Sequence, residues 1–211
     1  RGMLATAGVF RGLHKTGLLD LITYMSGLSG STWYMSHLYT NPEWYKGLPD
    51  DLTRNLKPGV TGSFPGRMLR PDHFYRNVRA LRKKRSSGQT ISLTDFFGYV
   101  LGQTLQPNKF DAKLSEEADL LKTGKVPMPI YTACTVKPDE MASEFNEWVE
   151  CTAFEVAQAK YGIAMKTEHF GSKFFMGRVV KLYPEPPLHF FQAIWGSVWA
   201  INLETIVGRL R

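Results

Sequence analysis

Apolar and polar positions near the start of the chain predict a helix, a strand and a second helix. Apolar residues recur there at intervals of three or four positions: Met3, Ala7, Phe10 and Leu13. This spacing predicts a helix over residues 2–16 that ends at Gly17. Residues 18–25 are mostly apolar and rich in β-forming side chains, so they predict a strand. A Gly-Ser cluster then leads into a helix-compatible pattern over residues 32–39, and this order of elements indicates an α/β fold.

The middle of the chain is rich in proline and glycine. Residues 41–72 contain five prolines and four glycines, a density that regular elements do not tolerate, so we predict an irregular insertion. A basic segment over residues 74–85 predicts a helix, and Ser92 precedes an aromatic-rich helical pattern as a polar cap would. We therefore treat residues 41–90 as one insertion and a candidate cap region.

Two strands and a further apolar segment are predicted in the second half. Residues 126–136 predict a strand entered through two prolines, and residues 145–154 predict a weaker one. Aromatic residues occur at helical spacing over residues 188–195, where core packing and the wall of an acyl-chain channel are both open interpretations. The apolar stretch of residues 188–203 is interrupted by polar residues and is shorter than the roughly 18–20 apolar residues of a spanning helix.

Composition narrows the class of protein. The 211 residues are 43% hydrophobic and 21% charged, which is typical of a globular chain with one substantial core. The net charge of +7 favours an anionic partner, either a phospholipid surface or nucleic acid. Only two cysteines occur, without metal-type Cys/His spacing, so we expect a reducing compartment and no metal site. A start at Arg1 and an end without a closing signal suggest a truncated chain.

The sequence Gly27-Leu28-Ser29-Gly30-Ser31 carries the candidate chemistry. It departs from the common Gly-x-Ser-x-Gly pattern, but it lies between a predicted strand and a predicted helix, as a nucleophilic serine does. Small neighbours let a substrate carbonyl approach the backbone, and amides at the start of the helix face a developing oxyanion. The alternative interpretation is a structural turn that caps the next helix.

The same residues, with the ones that follow them, resemble the nucleophile motif of the group IV cytosolic phospholipase A2 catalytic domain. The resemblance rests on segments found in order along the chain: residues 1–3, 17–20, 27–36, 92–96, 127–130, 169–174, 187–190 and 195–197. The insertion over residues 41–85 matches least. The resemblance implies a partial patatin-like α/β domain with a central sheet, flanking helices and a cap, and it implies that residues 1–211 are the N-terminal portion of one catalytic domain.

The resemblance also implies roles for particular residues. Ser29 would be the nucleophile of a serine/aspartate dyad that hydrolyses the acyl ester of glycerophospholipids, and the amide of Gly30 would contribute to the oxyanion hole. Arg1 would hold the substrate phosphate, for which the forked guanidinium is suited. A solvated chain terminus is the alternative interpretation of Arg1.

Two parts of that machinery are not recognisable in the sequence. The family's glycine-rich oxyanion loop would precede Arg1, and no aspartate of this chain is followed by the glycine that accompanies the family's dyad aspartate. We therefore expect the aspartate to lie outside residues 1–211. No cofactor is implied for this chain, and calcium is implied only if a lipid-binding domain exists upstream.

A Ser-His-Asp hydrolase is the nearest alternative. Its chain order of serine, acid and histidine is met by Ser29, Asp139 and either His169 or His189. The spacing of these residues does not exclude it, although the family resemblance favours a dyad without histidine.

The predicted basic helix is the candidate membrane surface. Five of its basic residues lie adjacent or three apart: Arg79, Arg82, Lys83, Lys84 and Arg85. Such a helix on an interfacial enzyme docks on anionic lipid, whereas a solvated helix face is the alternative. We expect no nucleic-acid partner, because no recognition motif accompanies these residues. The expected location is cytoplasmic, with peripheral association with intracellular membranes and no transmembrane segment.

Overall fold

A computed structural model describes residues 1–48, 71–135 and 147–196, with side chains described from residue 74 onward in the second range. The helices are α1 Gly2–Lys15, α2 Gly30–Tyr39, α3 Pro71–Ser86, α4 Leu93–Leu105, α5 Glu117–Leu121 and α6 Leu188–Trp195. The strands are β1 Tyr24–Leu28, β2 Met128–Cys134, β3 Trp148–Cys151, β4 Glu155–Gln158, β5 Ile163–Lys166, β6 Lys173–Phe175 and β7 Arg178–Lys181. The predicted α/β class is confirmed.

The main sheet has the strand order β1-β2-β3-β4-β5. β1 and β2 are parallel, with Leu28 opposite Thr132, and the other neighbouring pairs are antiparallel. Because β1 and β2 run in the same direction, their carboxyl ends meet at one edge of the sheet, and Ser29 follows directly at that edge. β6 and β7 form a separate antiparallel hairpin.

Aromatic side chains join the helices to the sheet. Trp195 of α6 stacks on Tyr131 of β2 with 4.4 Å between ring centroids, and both side chains are buried. On the other side of α2, Phe10 of α1 packs edge-on against Tyr34 and Trp44. These contacts place the core between the helices and one face of the sheet, with β1 and α2 held on it.

Two glycines set the crossing of α4 and α6. A Cβ at Gly98 would lie 3.0 Å from the backbone oxygen of His189, and one at Gly102 would lie 2.9 Å from its ring. The two glycines are four residues apart and lie on one face of α4. Their missing side chains let α6 approach closely enough for the His189 ring to contact the rings of Tyr99 and Phe110.

The prediction of a strand over residues 18–25 is wrong in its placement. Gly17 has a left-handed backbone (φ 69°), and Leu18–Leu21 then form a 3-10 turn whose Leu19 is buried. The strand runs instead from Tyr24 to Leu28, because pairing with β2 begins opposite Met128. It therefore includes Ser26 and Gly27, which the pattern had assigned to the turn.

The other predicted elements are found with shifted ends. The helices predicted over residues 2–16 and 74–85 are α1 and α3, and the helix predicted from residue 32 begins at residue 30. Ser92 and Asp95 form the capping box of α4. The strands predicted over residues 126–136 and 145–154 are β2 and β3, although residues 136–146 lie outside the described part. β4 to β7 and the short α5 were not predicted.

The predicted irregular insertion is only partly described. Residues 49–70 lie outside the described ranges, α3 already begins at Pro71, and the 3-10 turn Trp44–Lys46 carries the fully buried Trp44. The start of the insertion therefore contributes to the core.

Candidate active site

Ser29 occupies the sharp turn between β1 and α2. Its backbone has φ 56° and ψ −124°, in a region that residues other than glycine rarely adopt. A strained serine between a strand and a helix is the geometry in which a nucleophilic hydroxyl stands out from the end of a sheet. The residue is half-buried, at the edge where β1 and β2 end.

The glycines on either side of Ser29 lie in close packing. A Cβ at Gly27 would lie 2.7 Å from the Met35 sulfur, and one at Gly30 would lie 3.0 Å from the backbone nitrogen of Met3. Without a side chain at Gly27, α2 packs closely on β1. Without one at Gly30, α1 packs closely against the start of α2. The small residues of the motif are therefore explained by contacts within the fold as well as by access for a substrate.

Two threonines hold the turn, and sequence reasoning did not single them out. The amide of Thr32 donates a hydrogen bond of 3.0 Å to the carbonyl oxygen of Ser29, and the Thr32 hydroxyl donates to the same oxygen. The Thr132 hydroxyl donates to the carbonyl oxygen of Gly27 at 2.8 Å. The sequence contains a signal for Thr32, because it lies within the motif three residues after Ser29. It contains none for Thr132, which becomes a neighbour only through the pairing of β1 with β2.

The N-termini of α1 and α2 meet beside Ser29. A Cβ at Gly2 would lie 3.7 Å from both the Gly30 Cα and the Ser31 nitrogen, and the Thr6 hydroxyl donates to the Ser31 hydroxyl at 3.0 Å. Amides in the first turn of a helix have no acceptor within it, and the helix dipole makes this end positive. Two such ends close together favour an anion at this position.

The structure places Arg1 and Gly30 at these helix ends. Arg1 is the N-cap of α1, its carbonyl oxygen accepts from the amides of Leu4 and Ala5, and its side chain is exposed. Gly30 is the first residue of α2 and directly follows Ser29. The arrangement can thus present a hydroxyl nucleophile, an amide donor for an oxyanion, and a guanidinium for a phosphate.

Comparison with known proteins assigns the family. The family model described as the lysophospholipase catalytic domain matches residues 1–211. This chain belongs to the lysophospholipase catalytic domain family.

Individual proteins that are similar to this chain agree with that assignment. Mouse cytosolic phospholipase A2 zeta is 38% identical over 210 residues, which cover all of this chain and 24% of that protein. The solved structure of human GIVD cytosolic phospholipase A2 is 36% identical, with a TM-score of 0.86, over 96% of this chain and 27% of that one. The same human protein in complex with methyl gamma-linolenyl fluorophosphonate matches with a TM-score of 0.81. The chain therefore spans about a quarter of the length of these relatives.

The histidines of the alternative triad lie in different surroundings. His189 is buried between the rings of Tyr99 and Phe110, where burial, aided by Arg76, lowers its pKa to about 3. A buried imidazole with so low a pKa accepts a proton weakly, so His189 does not fit a general base. His169 is half-buried at the end of a 3-10 turn, and Asp139 lies outside the described residues.

The basic residues of α3 do not all face solvent. Arg79, Arg82, Lys83 and Arg85 are exposed. Lys84 instead forms an ion pair of 2.5 Å with the buried Asp95 carboxylate, and its ammonium lies 4.4 Å from the centre of the Phe190 ring. The Lys84 ammonium is therefore engaged within the domain, and four residues remain as a basic surface, which we call the α3 basic surface.

Among the residues described, no group of three or more His, Cys, Asp or Glu side chains is placed to bind a metal ion. In the same ranges, no helix is both long and apolar enough to span a bilayer.

Proposed function

We propose that this chain is part of a single catalytic domain that hydrolyses the fatty-acyl ester bond of glycerophospholipids, with Ser29 as the nucleophile. The observation that carries the proposal is the strained position of Ser29 where two helix N-termini meet. The human relative whose solved complex contains methyl gamma-linolenyl fluorophosphonate supports it, because a fluorophosphonate with a fatty chain combines a serine-reactive group with a lipid.

The reaction proceeds in two steps. The Ser29 oxygen attacks the ester carbonyl carbon while an aspartate outside residues 1–211 takes its proton. The amide of Gly30 stabilises the oxyanion together with donors of a glycine-rich loop before Arg1, and Arg1 holds the phosphate. The ester C–O bond breaks, the lysophospholipid leaves with the proton, and water then hydrolyses the acyl-enzyme to release the fatty acid.

The substrate is reached at a membrane surface. The α3 basic surface, Arg79, Arg82, Lys83 and Arg85, attracts anionic headgroups, each basic residue contributing about 1 kcal/mol near the surface. Because relatives are named cytosolic phospholipases, we place the protein in the cytoplasm in peripheral contact with intracellular membranes. The chemistry of Ser29 needs no cofactor within this chain, and calcium enters only with a lipid-binding domain elsewhere in the protein.

Labelling with a fluorophosphonate tests the nucleophile. In the complete catalytic domain, the reagent should modify Ser29, and Ser29→Ala should remove both labelling and nearly all turnover, because the acyl-enzyme forms on this oxygen. Ser31→Ala is the matched control and should still be labelled. Peptide mapping that finds the label on another serine contradicts the assignment. Loss of labelling in one folded histidine variant would instead favour the triad.

A further inference from the structure

The β6–β7 hairpin exposes a large amount of apolar surface. Every residue from Lys173 to Leu182 is exposed. The apolar side chains among them include four that are more than half exposed: Phe175 (66%), Met176 (88%), Val180 (62%) and Leu182 (62%). A two-stranded hairpin is at best marginally stable alone in water, and a contiguous apolar patch marks an interaction site. This hairpin therefore requires a covering surface.

The tip of the hairpin carries an unusual residue. Phe175 pairs with Arg178, so Met176 and Gly177 form a two-residue turn in which both have positive φ, 48° and 75°. Turns of this kind favour asparagine, aspartate or glycine at both central positions, because a larger side chain is strained there. Met176 thus costs free energy in two ways. Its backbone is strained, and its apolar side chain is 88% exposed to water. Burial of its side chain in an apolar environment offsets both costs.

The charges of the hairpin indicate what that environment is. Residues 173–182 contain three basic residues, Lys173, Arg178 and Lys181, and no acidic one. Basic side chains beside an apolar tip match an anionic lipid interface, where the tip enters the acyl region and cations such as Lys173 and Arg178 reach the headgroups.

The hairpin also adjoins the α3 basic surface. The Lys181 ammonium donates a 3.2 Å hydrogen bond to the carbonyl oxygen of Ser87, directly after α3. A Cβ at Gly88 would lie 3.5 Å from that ammonium. The basic end of α3 and the base of the hairpin are therefore neighbours.

We propose that the β6–β7 hairpin is an apolar membrane anchor that inserts Phe175 and Met176 into the bilayer interface beside the α3 basic surface. The proposal rests on the membrane-surface action proposed above and adds an element to it. The two elements contribute in different ways: the α3 charges act through salt-screened attraction to anionic lipid, whereas the tip acts through apolar burial that salt does not screen.

The test uses the complete catalytic domain and vesicle sedimentation. The vesicles are phosphatidylcholine alone or mixed with phosphatidylserine, at about 0.1 M and 0.5 M salt, which span the range where charge interactions are screened. Phe175→Ser combined with Met176→Asn should weaken partitioning by about tenfold or more on both vesicles at both salts. Replacing the four α3 residues with glutamine should weaken only binding to the anionic vesicles at low salt. Ile163→Ser, which removes a side chain 56% exposed on β5, is the matched control and should bind like the parent.

Met176→Asn alone keeps the proposal testable if the double variant folds poorly. Asparagine suits the turn, so this variant should keep or raise the melting temperature and still bind the vesicles more weakly. Parental partitioning of a folded tip variant overturns the proposal. A lowered melting temperature with unchanged partitioning also overturns it, because the tip then packs against another part of the protein.

Fluorophosphonate labelling without vesicles separates this proposal from the catalytic one. The tip variants should be labelled at Ser29 at the parental rate, because the anchor acts on the membrane and leaves the nucleophile unchanged. A parent that is not labelled at Ser29 contradicts the proposed catalytic function and leaves the partitioning result to decide the anchor. A tip variant that loses labelling in solution contradicts the anchor.

Discussion

At the scale of single residues, the nucleophilic role proposed for Ser29 depends on how its strained backbone is held. A conformation of this kind costs on the order of 1–3 kcal/mol and persists only where neighbouring contacts determine it. The Ser29 carbonyl oxygen accepts from both the amide and the hydroxyl of Thr32, a fully buried residue. We therefore expect Thr32 to be a positioning residue that acts through Ser29.

Thr32→Val should lower the rate of fluorophosphonate labelling in the complete domain by about fivefold, since one hydrogen bond of about 1 kcal/mol then no longer holds the turn. Thr32→Ser keeps the hydroxyl and should be labelled at close to the parental rate. The measurement is the labelling rate of both variants, with melting temperature in parallel. A valine variant that melts lower but is labelled like the parent would restrict Thr32 to a role in stability.

His189 makes stability depend on pH. Its folded-state pKa of about 3 is below the ordinary value of 6.5, so the unfolded chain binds the proton first as pH falls. Stability is therefore fully present above about pH 6.5 and decreases toward pH 3, by about 1.4 kcal/mol per pH unit for one proton. In denaturation measured from pH 7 to pH 4.5, His189→Phe should reduce the slope of the free energy of unfolding against pH by the equivalent of roughly one proton. An unchanged slope would contradict the buried neutral imidazole.

At the scale of elements, the crossing of α4 and α6 depends on glycine. A Cβ at Gly98 would lie 3.0 Å from the backbone of α6, which cannot move without displacing the helix. Gly98→Ala should therefore lower the free energy of unfolding by about 1–3 kcal/mol. The matched control is Gly12→Ala in α1, where a Cβ meets nothing within 4 Å among the described residues. It should raise that free energy by up to about 1 kcal/mol through helix propensity. Equal shifts in the denaturation midpoint would show that close packing does not set the crossing.

Elements whose signal is local were predicted well. α1, α3 and α4 were recognisable because apolar spacing and capping residues involve only neighbours along the chain. β1 was misplaced because its position depends on pairing with β2, about a hundred residues later. The hairpin of β6 and β7 was missed, since its exposed apolar residues do not follow the alternation of a half-buried strand.

At the scale of the whole molecule, the described sheet ends at β1. Several apolar side chains are exposed, two of them in β1, Tyr24 (64%) and Leu28 (48%), and two in α1, Leu4 (65%) and Val9 (56%). An exposed strand edge and exposed apolar side chains favour association, so residues 1–211 expressed alone should be poorly soluble.

Residues 1–211 alone should release no fatty acid from mixed phospholipid vesicles. A serine hydroxyl without an adjacent base is a weak nucleophile, and loss of one oxyanion donor alone costs on the order of a hundredfold to a thousandfold in rate. The assay compares the purified chain with its Ser29→Ala variant. Turnover that depends on Ser29 would contradict the prediction, and the search for the base would then return to Asp139 and His169.

The sequence by itself determined the α/β class, the family and the residue proposed as nucleophile. These follow from short contiguous motifs and from the local spacing of apolar residues, which do not depend on contacts between distant parts of the chain. Only the tertiary structure decided which partners surround them. Thr132 reaches the Ser29 turn across a strand pair, Lys84 turns from the basic surface to Asp95, and His189 becomes a neutral core residue. Each depends on burial and on contacts between separate elements, because a side chain's charge and role follow from its surroundings.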